Sequence, residues 1–187
     1  MEFPLVGEKG SASPEETEPG RGGAEDLMRK ALQAGAQKAS LIPVRSVVVA
    51  SWVAWKCRYG CKDFGRSHTC PPHSPSYKDT SLFLQEFRSA LLVQADQSFR
   101  VRYLVYLLER EAFLNGFYKA FGMGAGPCRL CDTCDVQFPC RRPEEARPSM
   151  EACGIDVYRT VRENGYAVEP LRDSGGPQHS YGLVLLE

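Results

Sequence analysis

Residues Gly122–Cys153 read GMGAGPCRLCDTCDVQFPCRRPEEARPSMEAC, and the rest of the chain reads as the scaffold for this stretch. Cys128, Cys131, Cys134 and Cys140 fall within it in the pattern C-x2-C-x2-C-x5-C. A cubane iron–sulfur cluster needs thiolates converging from one folded loop, each on a different iron, and cysteines repeating every third residue supply them. Zinc also takes four cysteines, but its usual pattern is two C-x2-C pairs set well apart. The spacing points to a metal site holding a 4Fe–4S cluster, with zinc as the alternative. It departs from the bacterial ferredoxin run, in which the fourth cysteine follows after three residues and precedes proline. Here five residues intervene and Arg141 follows, so the ligation of one cluster by all four thiols stays open.

The residues around the four cysteines bear on that reading. Gly124, Gly126 and Pro127 lead into Cys128, and small residues let backbone N–H groups point at cluster sulfurs. Arg129, Arg141, Arg142, Arg147 and Lys119 are close enough in sequence to offset the negative charge of a thiolate-bound cluster; Asp132, Asp135, Glu144 and Glu145 partly cancel that benefit. GMGAG resembles a phosphate loop only superficially, since it lacks the Lys-Ser/Thr that a P-loop requires.

A second group lies upstream. Cys57, Cys61 and Cys70 form C-x3-C-x8-C in WKCRYGCKDFGRSHTCPPHSP, where Gly60 and Gly65 let the chain turn and Pro71, Pro72 and Pro75 stiffen the exit. Three thiols leave a fourth position to fill, and Cys153, His68 and His73 are the candidates. With a histidine the set would make a tetrahedral zinc site. With one iron left open it would make a second cluster able to bind a substrate. Three reduced core cysteines are the plain alternative.

Working outward, Ala24–Ala36 carries Leu27, Ala31, Leu32 and Ala34 at helical spacing, with Gly35 as a stop. The run from Ala39 to Trp55 is apolar on both alternating faces, which predicts a buried strand system broken at Pro43, with Trp52 and Trp55 in the core. Ser76 opens a capping-box-like helix with Asp79 at its third position. Residues 90–95 predict a strand. Residues 100–121 give the clearest helical period, through Val101, Leu104, Val105, Leu108, Ala112, Phe117 and Phe121, with Tyr103, Tyr106, Leu107 and Leu114 widening the stripe. This helix is expected to be mostly buried, with Asn115-Gly116 as a kink. Glu109, Arg110 and Glu111 read as a solvated or ion-paired edge. Residues 154–165 predict a helix stopped at Asn164-Gly165, followed by two strands, 166–172 and 181–187, around a glycine-rich turn.

The irregular alternation of elements argues for an α+β fold, a small mixed or antiparallel sheet packed against helices, with the two cysteine-rich loops forming a metal-binding lobe. The chain has 187 residues, a length that favours one domain over 24–187. Residues 1–23 are rich in Gly, Pro, Ser and Glu and are expected to be a disordered tail. Lys plus Arg and Asp plus Glu both number 23, so no global basic excess argues for nucleic acid or an anionic membrane surface. The first residues do not read as a secretory signal, and no window approaches about 18 uninterrupted apolar residues. A cytoplasmic location follows as the expectation, and reduced thiols with it. A disulfide framework has only the even count of eight cysteines in its favour.

The segments CRYGCKDFG, TCPP, FLNGFYKAF, GPCRLCDTC, PCRRPEEARPSMEACGIDV and YGLVLLE resemble the prokaryotic family of predicted metal-binding proteins, a domain of unknown function, over roughly residues 24–187. The resemblance implies metal binding, iron–sulfur in type, through Cys57, Cys61, Cys70, Cys128, Cys131, Cys134 and Cys140. It implies no reaction and no substrate. Three functions are therefore carried forward: electron transfer to a redox partner protein docking near Arg141-Arg142, a zinc-held interaction module, and an enzyme with an open iron on Cys57, Cys61 and Cys70.

Overall fold

The computed structural model describes residues 21–168 and 179–187. Residues 1–20, most of the expected tail, and 169–178, which hold the expected glycine-rich turn, lie outside the described residues. Arg21–Gly23, assigned to the tail from composition, belong instead to the first helix, α1 (Arg21–Gln33).

The fold is α+β. Four strands, β1 (Lys38–Pro43), β2 (Ser89–Ala95), β3 (Phe121–Met123) and β4 (Ser180–Leu185), form one antiparallel sheet in the order β1-β2-β4-β3. In the two central strands, β2 and β4, successive side chains enter different cores, as the period of two requires. Leu91, Val93, Ala95 and Val184 pack beneath α1 and α4 (Ser98–Leu114). Ala90, Leu92, Leu183 and Leu185 pack on the opposite face with Ile42, Phe87, Met150 and Ile155. Burial on both faces explains why ALLV and YGLVLL read as continuous apolar runs rather than alternating ones. The expected strand over 166–172 is not formed in its described part. Tyr166 instead packs in the second core and its hydroxyl donates to Ser40 Oγ at 3.0 Å.

Two further sequence expectations are corrected. The extended run ends early: beyond β1 only a short piece stays extended, where Val49 bridges to Ile155 and the amide of Ala50 donates to Gly154 O at 2.9 Å. Ser51–Gly60 then forms a helix, α2. The alternation failed because apolar residues on both faces of a short stretch fit a helix as well as a strand. In the helical form Val53 turns inward, while Trp52 and Trp55 are 48% and 65% exposed rather than in the core. The second correction concerns α4. It is buried along Val101, Leu104, Val105, Leu108 and Ala112, but Tyr103, Phe113 and Leu114 are exposed, so it is covered on one side. Asn115-Gly116 ends it rather than kinking it, with Gly116 at φ 93°, and Phe121 lies in β3.

Other expectations hold. The Ser76–Asp79 capping box is complete at the start of α3 (Tyr77–Phe83). Asp156 caps α5 (Val157–Glu163), and Gly165 follows at φ 77°. No helix among the described residues is long and apolar enough to cross a membrane.

A glycine allows a close helix–sheet approach. A Cβ at Gly182 in β4 would stand 2.6 Å from Val101 Cγ1 and 2.7 Å from Val105 Cγ1, both on α4. Gly182→Val should lower unfolding stability by about 2 kcal/mol, an overpacking cost. The check is the denaturant midpoint at unchanged transition slope.

Candidate metal centre

The long cysteine loop leaves the sheet at β3 and returns at the turn Glu151–Cys153. Its two ends meet at a neck. Gly124 pairs with Ser149 in a parallel bridge, with Gly124 N donating to Pro148 O at 2.8 Å and Met150 N to Gly124 O at 3.0 Å. Glu109 of α4 holds both ends of this neck. Its Oε2 accepts from the Gly122 amide and from Arg147 Nε, each at 2.7 Å, and its Oε1 accepts from Arg147 Nη2 at 2.5 Å. Both side chains are mostly buried. The edge of α4 is thus ion-paired, as expected, and Glu111 likewise pairs with Lys30.

From that neck the loop brings its four cysteines to one pocket. Cys128, Cys131, Cys134 and Cys140 all line it, together with His68, Leu130, Phe138, Pro139, Arg141 and Arg142. The cavity is small, about 40 Å³, and each thiol is partly exposed. The thiols share a wall rather than a point: among the described residues no three His, Cys, Asp or Glu side chains stand close enough to hold a metal ion. By chemistry the donor set fits a thiolate-ligated metal centre. The wall holds four soft thiol donors, three apolar side chains and Arg141, which has no ion-pair partner among the described residues, while Arg142 pairs with Glu145.

The upstream group lies against the same loop. Arg129 Nη2 donates to Asp63 Oδ1 and Oδ2 at 3.2 and 3.1 Å, and His68 Nε2 stands 3.1 Å from Asp135 O. Cys57 sits one helical turn after Val53 on the inner side of α2, with its thiol 3.9 Å from Glu151 O; Cys61 is exposed at the end of that helix, and Cys70 is buried. Burial first, then the neighbouring Cys61, Glu151 and Cys70, pushes the Cys57 thiol above its ordinary value. Burial raises Cys70 too, opposed by the Ser67 hydroxyl and reinforced by Cys61, Asp63 and Cys128. The three upstream thiols therefore lie within one another's field, and Cys70 also feels the second group.

The candidates for a fourth ligand separate clearly. Cys153 is fully buried in the second core, where burial pushes its thiol up to about 12. Its neighbours there are core side chains such as Met150 and Ile155. His68 lines the four-cysteine pocket instead of completing the upstream set. His73 is exposed, its ring 6.2 Å from that of His68. No disulfide joins any of the eight cysteines. Glu151 was not singled out from the sequence. Its Oε2 is buried with no hydrogen-bond partner, and burial raises its carboxyl pKa. A glutamate in SMEAC carries no signal that it will be folded inward behind Cys57.

Residues 40–186 match the family model described as predicted metal-binding protein (DUF2284). The chain belongs to this family. Both cysteine groups and all four strands but the first two residues of β1 lie within the matched stretch of this predicted metal-binding family, whereas α1 precedes it. No curated protein and no solved structure matches the chain.

Two outcomes are expected. Arg147→Met strands a mostly buried carboxylate and should cost about 3 kcal/mol, with Glu109→Gln adding much less than its own effect in the double variant; a double-mutant cycle in denaturant measures both. For Cys153, the folded thiol keeps its proton above the ordinary pKa of 9.0, so its contribution is intact below that pH and is lost as the pH rises toward about 12. Cys153→Ala should flatten this part of the alkaline limb of a stability–pH profile.

Proposed function

We propose that the chain is a cytoplasmic iron–sulfur protein that passes electrons to a partner protein, with Cys128, Cys131, Cys134 and Cys140 holding a 4Fe–4S cluster. The observation that carries this reading is the common wall formed by those four thiols, in a chain of a predicted metal-binding family. When bound, such a cluster supplies one-electron redox chemistry. The protein's own part is to hold and shield. Leu130 reduces water access, and Arg141 offsets thiolate charge.

The rim also supports docking. Arg142 is tied to Glu145, while Arg141 has no ion-pair partner among the described residues, and Phe138 is exposed beside it. A free cation next to an exposed aromatic ring suits an acidic partner surface. Cys57, Cys61 and Cys70 are the candidate for a second centre.

Zinc is the second reading, favoured by His68 on the same wall, which offers a mixed sulfur and nitrogen set. Iron, zinc and sulfide analysis of anaerobically prepared protein distinguishes the two, with electron paramagnetic resonance before and after reduction. The cluster reading expects brown protein with iron and acid-labile sulfide, bleached in Cys131→Ser and retained in Cys153→Ala. Colourless protein with stoichiometric zinc would overturn it.

A further inference from the structure

A second cavity lies between α4 and the cysteine loop. Phe99, Arg102, Tyr103 and Tyr106 line it from α4, at the i, i+3, i+4, i+7 spacing that puts them on one helical face. Arg129, Glu145 and Arg147 line it from the loop. Its volume is about 230 Å³, far larger than the four-cysteine pocket, and the two share Cys128 and Leu130. Phe99 and Tyr103 are 54% and 58% exposed. These rings therefore present apolar area that the fold itself does not cover.

Counted over carboxylates and guanidinium groups, the side chains around the cavity leave one cation over, with Cys128 beside it on the lining. Arg147 is neutralised by Glu109, Arg129 faces Asp63, and Glu145 is taken by Arg142. Arg102 has no carboxylate partner among the described residues. Its Nη1 donates to Ala125 O at 3.1 Å and Ser98 Oγ at 3.4 Å, while Nε and Nη2 meet no protein acceptor among the described residues. A half-buried guanidinium with one side of its fork unused is built for an anion, and a carboxylate matches that fork with two parallel hydrogen bonds.

We infer that this cavity binds a small aromatic carboxylate, its charged end on Arg102 and its ring against Phe99, Tyr103 and Tyr106. A guanidinium with no carboxylate partner among the described residues fits a single negative charge. Flat apolar walls fit a ring, since aromatic pairs gain beyond their buried area. A cavity just below the usual range of about 300–1,000 Å³ for ligand pockets limits the size to roughly one ring. The inference places the acid beside Cys128, at the edge of the candidate centre, so the negative charge of a metal-bound Cys128 thiolate would weaken the hold of Arg102 on it.

The test titrates the full chain, as purified, with benzoate, benzylamine and inorganic phosphate, followed by saturation-transfer NMR and calorimetry. Benzoate is expected to bind saturably, benzylamine not at all, and phosphate at least about tenfold more weakly, lacking the ring contacts. Arg102→Gln should weaken benzoate binding at least about tenfold, as loss of a charge-assisted pair requires, and Arg102→Lys by less. Phe99→Ala and Tyr103→Ala, on the exposed rim, should each weaken it about threefold with an unchanged melting temperature, and they carry the test should Arg102→Gln unfold the chain. No benzoate binding, equal binding of benzylamine or of phosphate, or affinity indifferent to these substitutions would each overturn the assignment.

Discussion

The carboxylate of Glu109 is the constraint on which the cysteine lobe depends. It lies on the flank of α4, the helix that packs most extensively over the sheet, and it accepts hydrogen bonds from the amide of Gly122 and from the guanidinium of Arg147. One side chain thereby joins the rigid core to both ends of the loop 124–149. The loop itself has little apolar content to fold around. Its charged and small residues bury weakly, and the strand-like pairing at the neck is only a single bridge. A two-pronged ion pair is well suited to such a position, because it fixes direction as well as distance. Other pairs among the described residues lack that quality: Arg159–Glu163 within α5 and Arg100–Asp96 at the start of α4 are exposed single contacts and contribute little.

The neck also explains how two cysteine groups distant in sequence come to face each other. Once the loop is clamped, Arg129 reaches Asp63 and the carbonyl of Asp135 reaches His68. The upstream segment is also tethered by α2 against the turn Glu151–Cys153 and by Ser74 Oγ donating to Ala152 O at 2.9 Å. Core, neck, loop and upstream segment thus form a hierarchy, in which each layer is positioned by the one before it. The four loop thiols stay partly exposed while the sheet remains dry.

Much of this was legible in the sequence, for identifiable reasons. The capping box at Ser76, the paired apolar runs of β2 and β4 and the five buried positions of α4 are local or periodic features, and local physics was enough to read them. The grouping of Cys128, Cys131, Cys134 and Cys140 on one wall was legible because side chains from one short loop need no knowledge of the remaining fold. What failed required tertiary information. WVAWKCRYG has aromatic and β-branched residues that favour a strand, yet the structure makes it a mostly exposed helix. The pairing of 47–50 with 154–156 uses up the strand-like part, and the rest is free to coil. The burial of Cys153 beside an exposed Cys61 cannot be read from either residue's neighbours. Nor can the choice of Arg147, among several arginines in the loop, as the partner of Glu109.

The position of β4 has a consequence for how the protein comes into being. It stands between β2 and β3, so those two strands share no hydrogen bonds without it, yet it follows both cysteine groups in chain order. As the polypeptide is made from its amino end, every cysteine thiol reaches the cell before the framework that shelters it can close. The sheet can therefore be completed only after both cysteine groups have been made, an order in time set by topology alone.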